Sequence, residues 1–260
     1  MLPDERQWEI GELIHRRTDL STFVIHWTRD LEGTPAQENL ASMLQGGKIL
    51  ARNPMGAAVK ALQEQPESEE RETALASQKV VCFTEAPLEQ AWSFVSYIQG
   101  RQVQLKPYGL AFTKRRARRL GINPVWYVDM TPGHGHDWLI RNVWSLVEQA
   151  IESGLSTFRK HPIARIAPFV EGMGTWSDDP RDRKEFWWER EWRHTGDLTF
   201  SLEEAAVIFC PEEDMAAFEK IASPSPGELA RHVPLIDPRW GLEHIIATLA
   251  GVPDDDRHSV

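Results

Sequence analysis

Long apolar runs are missing from this chain. No stretch approaches the roughly twenty apolar residues needed to cross a bilayer, and Met1 to Leu20 is charged throughout, without the apolar centre of a secretion signal. Membrane spanning and secretion are therefore not expected, and a cytoplasmic location is. Cysteine is scarce: Cys82 and Cys210 are the only two, each inside an apolar run, which points to buried reduced thiols rather than a disulfide. Positive charge is also short, with 29 Lys and Arg against 39 Asp and Glu and a formal net charge of -10. That balance argues against gripping duplex nucleic acid or anionic lipid through the whole surface, so any nucleic-acid contact must be local. Walker loops, dinucleotide fingerprints, nucleophile elbows and zincin helices are all absent. The nearest approach to a metal tripod is His134-Gly135-His136-Asp137; no second cluster with ligand spacing accompanies it, and no metal is expected.

What remains is enough for a full core: 260 residues, 41% of them hydrophobic. A single domain is expected over residues 1–252, with 253–260 an acidic, disordered tail. An amphipathic helix is expected from about Asp4 to Arg17. Phe23 to Thr28 is β-branched and aromatic and reads as a strand, and Glu38 to Leu44 as a helix that Gly46-Gly47 ends. Glu64 to Glu72 has no apolar side chain and reads as a solvated loop. Further strands are expected at Lys79–Thr84, Tyr108–Thr113, Val125–Val128, Ala205–Phe209 and Pro234–Ile236. Helices are expected from Ala86 to Ile98, Trp138 to Ile151, Asp214 to Ala222 and Leu242 to Leu249, with a turn at Ser223 to Gly227. Strands broken by helices without regular alternation favour an α+β fold.

Three stretches are the main candidates for chemistry, and a fourth is a candidate for phosphate. In Trp188-Glu189-Arg190-Glu191-Trp192-Arg193, strand alternation would put Glu189, Glu191 and Arg193 on one face and both tryptophans on the other. Two carboxylates and a guanidinium together are a candidate site; an edge strand with solvated ion pairs is the plainer reading. His26-x-Thr28 sets two polar side chains into an apolar strand, where they need partners from a ligand or from the core itself. Cys82-Phe83-Thr84-Glu85-Ala86-Pro87-Leu88 ends a strand in polar residues and turns straight toward a helix. The run Lys114-Arg115-Arg116-Ala117-Arg118-Arg119 could hold phosphate, although a solvated helix face is the simpler expectation.

The order of these stretches, with Gly109-Leu110-Ala111-Phe112 between them and the Cys-Phe-Thr-Glu and Glu-Trp-Arg strings most specific, resembles the abortive phage-infection family labelled AbiGi antitoxin, over about Phe23 to Phe209. More remotely it resembles the ADP-ribosyltransferase fold of poly(ADP-ribose) polymerases and DarT-like toxins. That second resemblance implies a split mixed sheet flanked by helices with NAD lying across it. His26 and Thr28 would border the adenosine ribose, Phe83, Thr84 and Tyr97 the nicotinamide, and Glu191 would be the catalytic carboxylate. Glu189 would orient or deprotonate an acceptor, and Arg193 would hold a phosphate or fix the glutamates. The chemistry suits a carboxylate, because loss of nicotinamide builds positive charge on the ribose. The pattern departs from the fold at Phe83, where many members have Tyr, and offers no assignable NAD-binding arginine. The function expected is NAD-dependent transfer of ADP-ribose to a nucleic acid or protein in antiphage defence or a toxin-antitoxin pair. The alternative is a non-catalytic antitoxin or sensor that binds a neighbour-encoded partner through its acidic surface; a metal-dependent nuclease is a third and weaker reading.

Overall fold

The computed structural model describes residues 9–10, 17–97, 103–131, 133, 137–175, 183–222, 229 and 232–253. Most of the expected N-terminal helix, His134-Gly135-His136, the 223–227 turn and the acidic tail beyond 253 lie outside them.

Strand β1, Phe23–Trp27, alternates as its β-branched and aromatic residues dictate: Val24 enters one hydrophobic core, and Ile25 and Trp27 another. Helix α1, Ala36–Gly46, buries Ala36, Leu40 and Ala41 and ends at Gly47 with φ 57°. A side chain at Gly47 would meet the Phe200 carbonyl at 2.7 Å, so both backbone conformation and space require glycine there. Short strands β2 (Lys48–Ile49) and β3 (Asn53–Pro54) follow.

The acidic stretch expected as a loop is partly helical. Helix α2 spans Val59–Gln63 and α3 spans Glu69–Ala76. Ser68 caps α3 by accepting the Arg71 N–H at 3.1 Å, and Glu69, Glu70 and Glu72 fill the first turn, where the helix dipole favours anions. The apolar anchors, Ala74 and Leu75, come only after the acidic run. A window that stops at Glu72 therefore sees charge and no core face.

β4 (Lys79–Thr84) and β5 (Gly109–Thr113) form where expected. Between them the expected helix is shorter, a 3-10 turn at Leu88–Gln90 and then α4, Trp92–Val95, after which Ser96 is extended. α5 is the basic run, Lys114–Arg119, capped by the Thr113 hydroxyl. β6 (Asn123–Pro124) leads to β7, Trp126–Asp129. Helix α6, Trp138–Glu152, buries Ile140, Val143, Val147 and Ala150, and α7, Pro162–Ile166, precedes β8 (Val170–Thr175) and β9 (Arg183–Lys184). The chain closes with β10 (Glu191–Thr195), β11 (Leu198–Thr199), β12 (Val207–Phe209), α8 (Met215–Ala222), β13 (Leu235–Ile236) and α9 (Leu242–Leu249).

The architecture is α+β, a mixed sheet flanked by helices. The main sheet runs β13-β12-β5-β1-β4-β10-β6 with β3 also on β4, antiparallel except for the parallel pair β12 and β13. It is tightly laced on either side of one weak seam. β1 pairs with β5 from Phe23↔Thr113 to Trp27↔Gly109, and β4 with β10 from Thr84↔Glu191 to Val80↔Thr195. β1 and β4 meet at the single pair Ile25↔Thr84. β7, on the strand expected at Val125–Val128, lies outside this sheet and pairs in parallel with β8, and β8 with β9. That smaller sheet packs with α2, α3, α6 and α7 around a separate core including Val128, Val147, Phe158 and Val170.

Candidate functional site

The residues before β10 do not continue the strand. Trp187–Glu189 forms one 3-10 turn and Arg190 takes φ 44°, a left-handed conformation that costs a non-glycine residue roughly 1 kcal/mol or more. Contacts hold Arg190 there: its guanidinium donates to the Asp19 carbonyl at 2.6 Å and sits 3.5 Å from the Glu85 carboxylate, and its carbonyl accepts the Glu85 N–H at 3.2 Å. Alternation therefore starts at Glu191. Of the three charged side chains expected on one strand face, only Glu191 and Arg193 share it; Glu189 belongs to the preceding turn. Trp192 lies buried on the other face, its indole N–H donating to Glu85 at 2.9 Å. Trp188 is on the turn instead, stacked on Phe94.

Arg193 is fully buried, and four of the five N–H bonds of its guanidinium have acceptors. Nε reaches Glu191 Oε1 at 2.8 Å, and one terminal nitrogen reaches Glu191 Oε2 and Glu171 Oε2, both at 2.9 Å. The other reaches the Pro168 carbonyl at 2.6 Å. Lys184 pairs with the second oxygen of Glu171, and Tyr127 donates to Glu191 Oε2 at 3.1 Å. Two cations and two carboxylates make the cluster neutral, the condition under which buried charge is tolerated. Burial pulls the Arg193 pKa down, but Glu191 and then Glu171 more than reverse this, and the group stays cationic. Burial likewise pushes Glu171 up, yet the Arg193 and Lys184 cations hold it below the usual carboxylate range. The Tyr127 hydroxyl is pushed up by burial and by the Glu191 charge, and so is the Cys82 thiol.

Glu191 also borders open space. A cleft of about 350 Å³ is lined by Glu85, Pro124, Val125, Tyr127, Trp187, Arg190, Glu191 and Trp192. A second hollow of about 350 Å³, bounded by Asp129, Thr131, Gly174, Arg183 and Glu185 among others, shares Trp187 as its wall. A carboxylate has about four acceptor positions. Arg193 and Tyr127 use three on Glu191, whose side chain is 11% exposed, so about one remains for a group in the cleft.

Of the other residues expected to hold NAD, Thr84 and Arg193 share the Glu191 face of the sheet, while His26 and Phe83 do not. Paired residues in an antiparallel ladder point to the same side, so Ile25, Thr84 and Glu191 share one face while His26, Phe83 and Trp192 share the opposite one. The His26 and Phe83 rings, 5.7 Å apart, confirm the second set. His26 Nδ1 donates to the Cys82 carbonyl at 2.8 Å, and burial lowers its pKa, keeping the imidazole neutral. The Thr28 hydroxyl is buried 3.1 Å from the Ala36 carbonyl and 3.0 Å from that of Tyr108, so its one proton is committed to main chain. Tyr97 stands 81% exposed just past α4. Arg193 is 0% exposed and does not line the cleft, so it presents no surface to a phosphate. The structure thus brings Thr84, Glu191 and Arg193 to one face of the sheet, sets His26 and Phe83 on the other, and leaves Thr28 buried and Tyr97 exposed. Among the described residues no group of three or more His, Cys, Asp or Glu could hold a metal ion.

Residues 61–222 match the family described as abortive phage resistance protein AbiGi, antitoxin. The chain belongs to that AbiGi family. The matched span carries Glu85, Tyr127, Glu171, Glu191 and Arg193, and begins after His26 and Thr28, so the family match is shorter at its start than the sequence pattern implied. No curated protein matches the chain. Two solved structures are similar: DarT of Thermus sp. 2.9 in complex with NAD+, at 14% identity and a TM-score of 0.32 over 84% of this chain and 97% of that one, and the same protein in complex with ADP-ribosylated single-stranded DNA, also at 14% and 0.32, over 86% and 99%. A likeness this slight carries no argument about this AbiGi member, whose architecture rests on its own strand order.

Glu171, Lys184 and Tyr127 were invisible as site residues in the sequence. Tyr127 and Glu171 sit far from β10 along the chain, Lys184 lies on a separate short strand before it, and only the parallel pairing of β7 with β8 brings Tyr127 opposite Glu171. Glu85 was visible inside the Cys-Phe-Thr-Glu string but had no role until its partners Lys114, Arg190 and Trp192 were in place.

Proposed function

We propose that this AbiGi member acts in the cytoplasm as a non-catalytic antitoxin, binding and neutralising a partner encoded beside it in an abortive-infection pair. One observation carries the reading: the carboxylates and guanidinium that would perform chemistry are spent on each other in a neutral buried cluster, with the expected NAD contacts on opposite sheet faces. The partner would be basic. Glu64, Glu67, Glu69, Glu70 and Glu72 are all exposed along α3 and its approach, on a chain with a surplus of ten negative charges. Two free thiols suit a reducing compartment, and no described helix is long and apolar enough to cross a membrane.

The test is coexpression with the neighbour-encoded protein, read by growth rescue and by copurification. Glu191→Gln should leave both intact, whereas reversing Glu67, Glu69 and Glu70 to Lys should weaken copurification at least tenfold. Loss of rescue on Glu191→Gln in a protein that still melts cooperatively would overturn the reading. The rival is NAD-dependent ADP-ribosyl transfer with Glu191 as its carboxylate, and the one acceptor position that Glu191 keeps toward the cleft favours it. Nicotinamide release from NAD by the purified protein, abolished by Glu191→Gln, would establish that rival.

A further inference from the structure

Helix α5 gathers three exposed arginines without a carboxylate partner on one short face, a density that Arg52, Arg159 and Arg165, exposed and likewise unpaired among the described residues, do not reach. Arg17, Arg71, Arg141, Arg183, Arg190 and Arg239 each lie within ion-pair reach of a carboxylate. Within α5 two cations are used in the same way: Lys114 pairs with Glu85 at 2.6 Å, and Arg116 donates to the Glu203 carbonyl. Ala117, fully buried, fixes the inner face. Arg115, Arg118 and Arg119 are then left pointing outward, exposed, and among the described residues none has a carboxylate within 4.0 Å. Their spacing of three and four residues places them on one helix face, where like charges repel. Cations in a last turn suit the helix dipole, but one would serve as well as three. A local penalty of this kind, in a chain with 39 acidic residues to draw on, asks for an anionic partner from outside.

We propose that this face of α5 docks the sugar-phosphate backbone of a single-stranded nucleic acid. Guanidinium forks match phosphate oxygens in pairs, and a nucleic-acid strand presents one negative charge at every residue, whereas a peptide would need acidic side chains in succession. A single strand fits the size of the patch. Six residues of helix extend about 9 Å, room for the phosphates of one strand, and the chain's net charge of -10 disfavours the denser charge of a duplex. Contact is with backbone only, so affinity is independent of base sequence and falls with salt. None of Arg115, Arg118 and Arg119 lines the Glu191 cleft or belongs to the acidic segment assigned to a protein partner, so the proposal stands whether or not the antitoxin reading does.

Fluorescence anisotropy with a labelled oligothymidylate, titrated between about 50 and 200 mM salt, tests it. With three phosphate contacts at about 0.7 each, the logarithm of the binding constant should fall with log salt at a slope of about -2. The triple variant Arg115→Ala, Arg118→Ala, Arg119→Ala should bind at least tenfold more weakly at the lowest salt, with a slope near zero and an unchanged melting temperature. No binding by the unaltered protein, or equal affinity and slope in the triple variant, would overturn the proposal. Equal or tighter binding of a duplex of the same length, or of polyglutamate, would remove the single strand as the occupant.

Discussion

The two faces of the β4–β10 ladder are made from the same ten residues and have opposite chemistry. One face sets Phe83 beside Trp192, continuous with Val24, Phe112 and Phe200 in a hydrocarbon core. The other sets Cys82 beside Arg193 and Thr84 beside Glu191, closed by Glu171, Lys184 and Tyr127 from the smaller sheet. The hydrocarbon face is held by area and shape, so its energy is spread over many weak contacts. The charged face is held by balance, so removing one member leaves the rest buried and uncompensated. Two sheets joined by such a cluster are fixed in one relative position, since the ions are satisfied in only that arrangement.

The largest test of this contrast is Arg193→Met, which strands Glu171 and Glu191 and should cost about 3–5 kcal/mol of stability in urea unfolding. Adding Glu191→Gln, which leaves Glu171 and Lys184 as a neutral pair, should recover more than half of that loss. Phe83→Ala should also cost about 3–5 kcal/mol, yet no second substitution across the ladder should restore it. Recovery in both cases, or in neither, would erase the distinction between the faces.

A second test uses acid. Glu171 has its pKa depressed in the folded protein, so its contribution is present above the unfolded value of about 4.3 and is lost as pH falls through the lower folded value. Below about pH 4.3 the unaltered protein should lose stability more steeply than Glu171→Gln, read from urea midpoints at successive pH values. A third and smaller test removes a single donor: Trp192→Phe keeps the hydrocarbon and takes the indole N–H from Glu85, which should cost about 1.5 kcal/mol. The smallest expected effect lies outside the ladder, where Ser68→Ala removes the α3 cap for about 1 kcal/mol and leaves both faces untouched.

The strands of the main sheet were legible because hydrophobic alternation is local. Phe23–Trp27, Lys79–Thr84 and Gly109–Thr113 announce themselves within five or six residues. α3 was not, since its signal is a capping serine and a dipole-matched acidic turn rather than an apolar stripe. The strand that begins at Glu191 was legible, but its start was not: the left-handed Arg190 depends on Asp19 and Glu85, residues 171 and 105 positions away. That His26 and Glu191 take opposite faces was hidden for the same reason, because which face a side chain takes across a sheet depends on ladder register, and no pattern within one strand encodes that.

The seam between β1 and β4 has a consequence for how the protein opens. With Ile25↔Thr84 as the only rung there, amide protons along it should exchange with deuterium well before those buried inside either laced block. Mass spectrometry of peptides from each side would then read two protection classes within what is drawn as one continuous sheet.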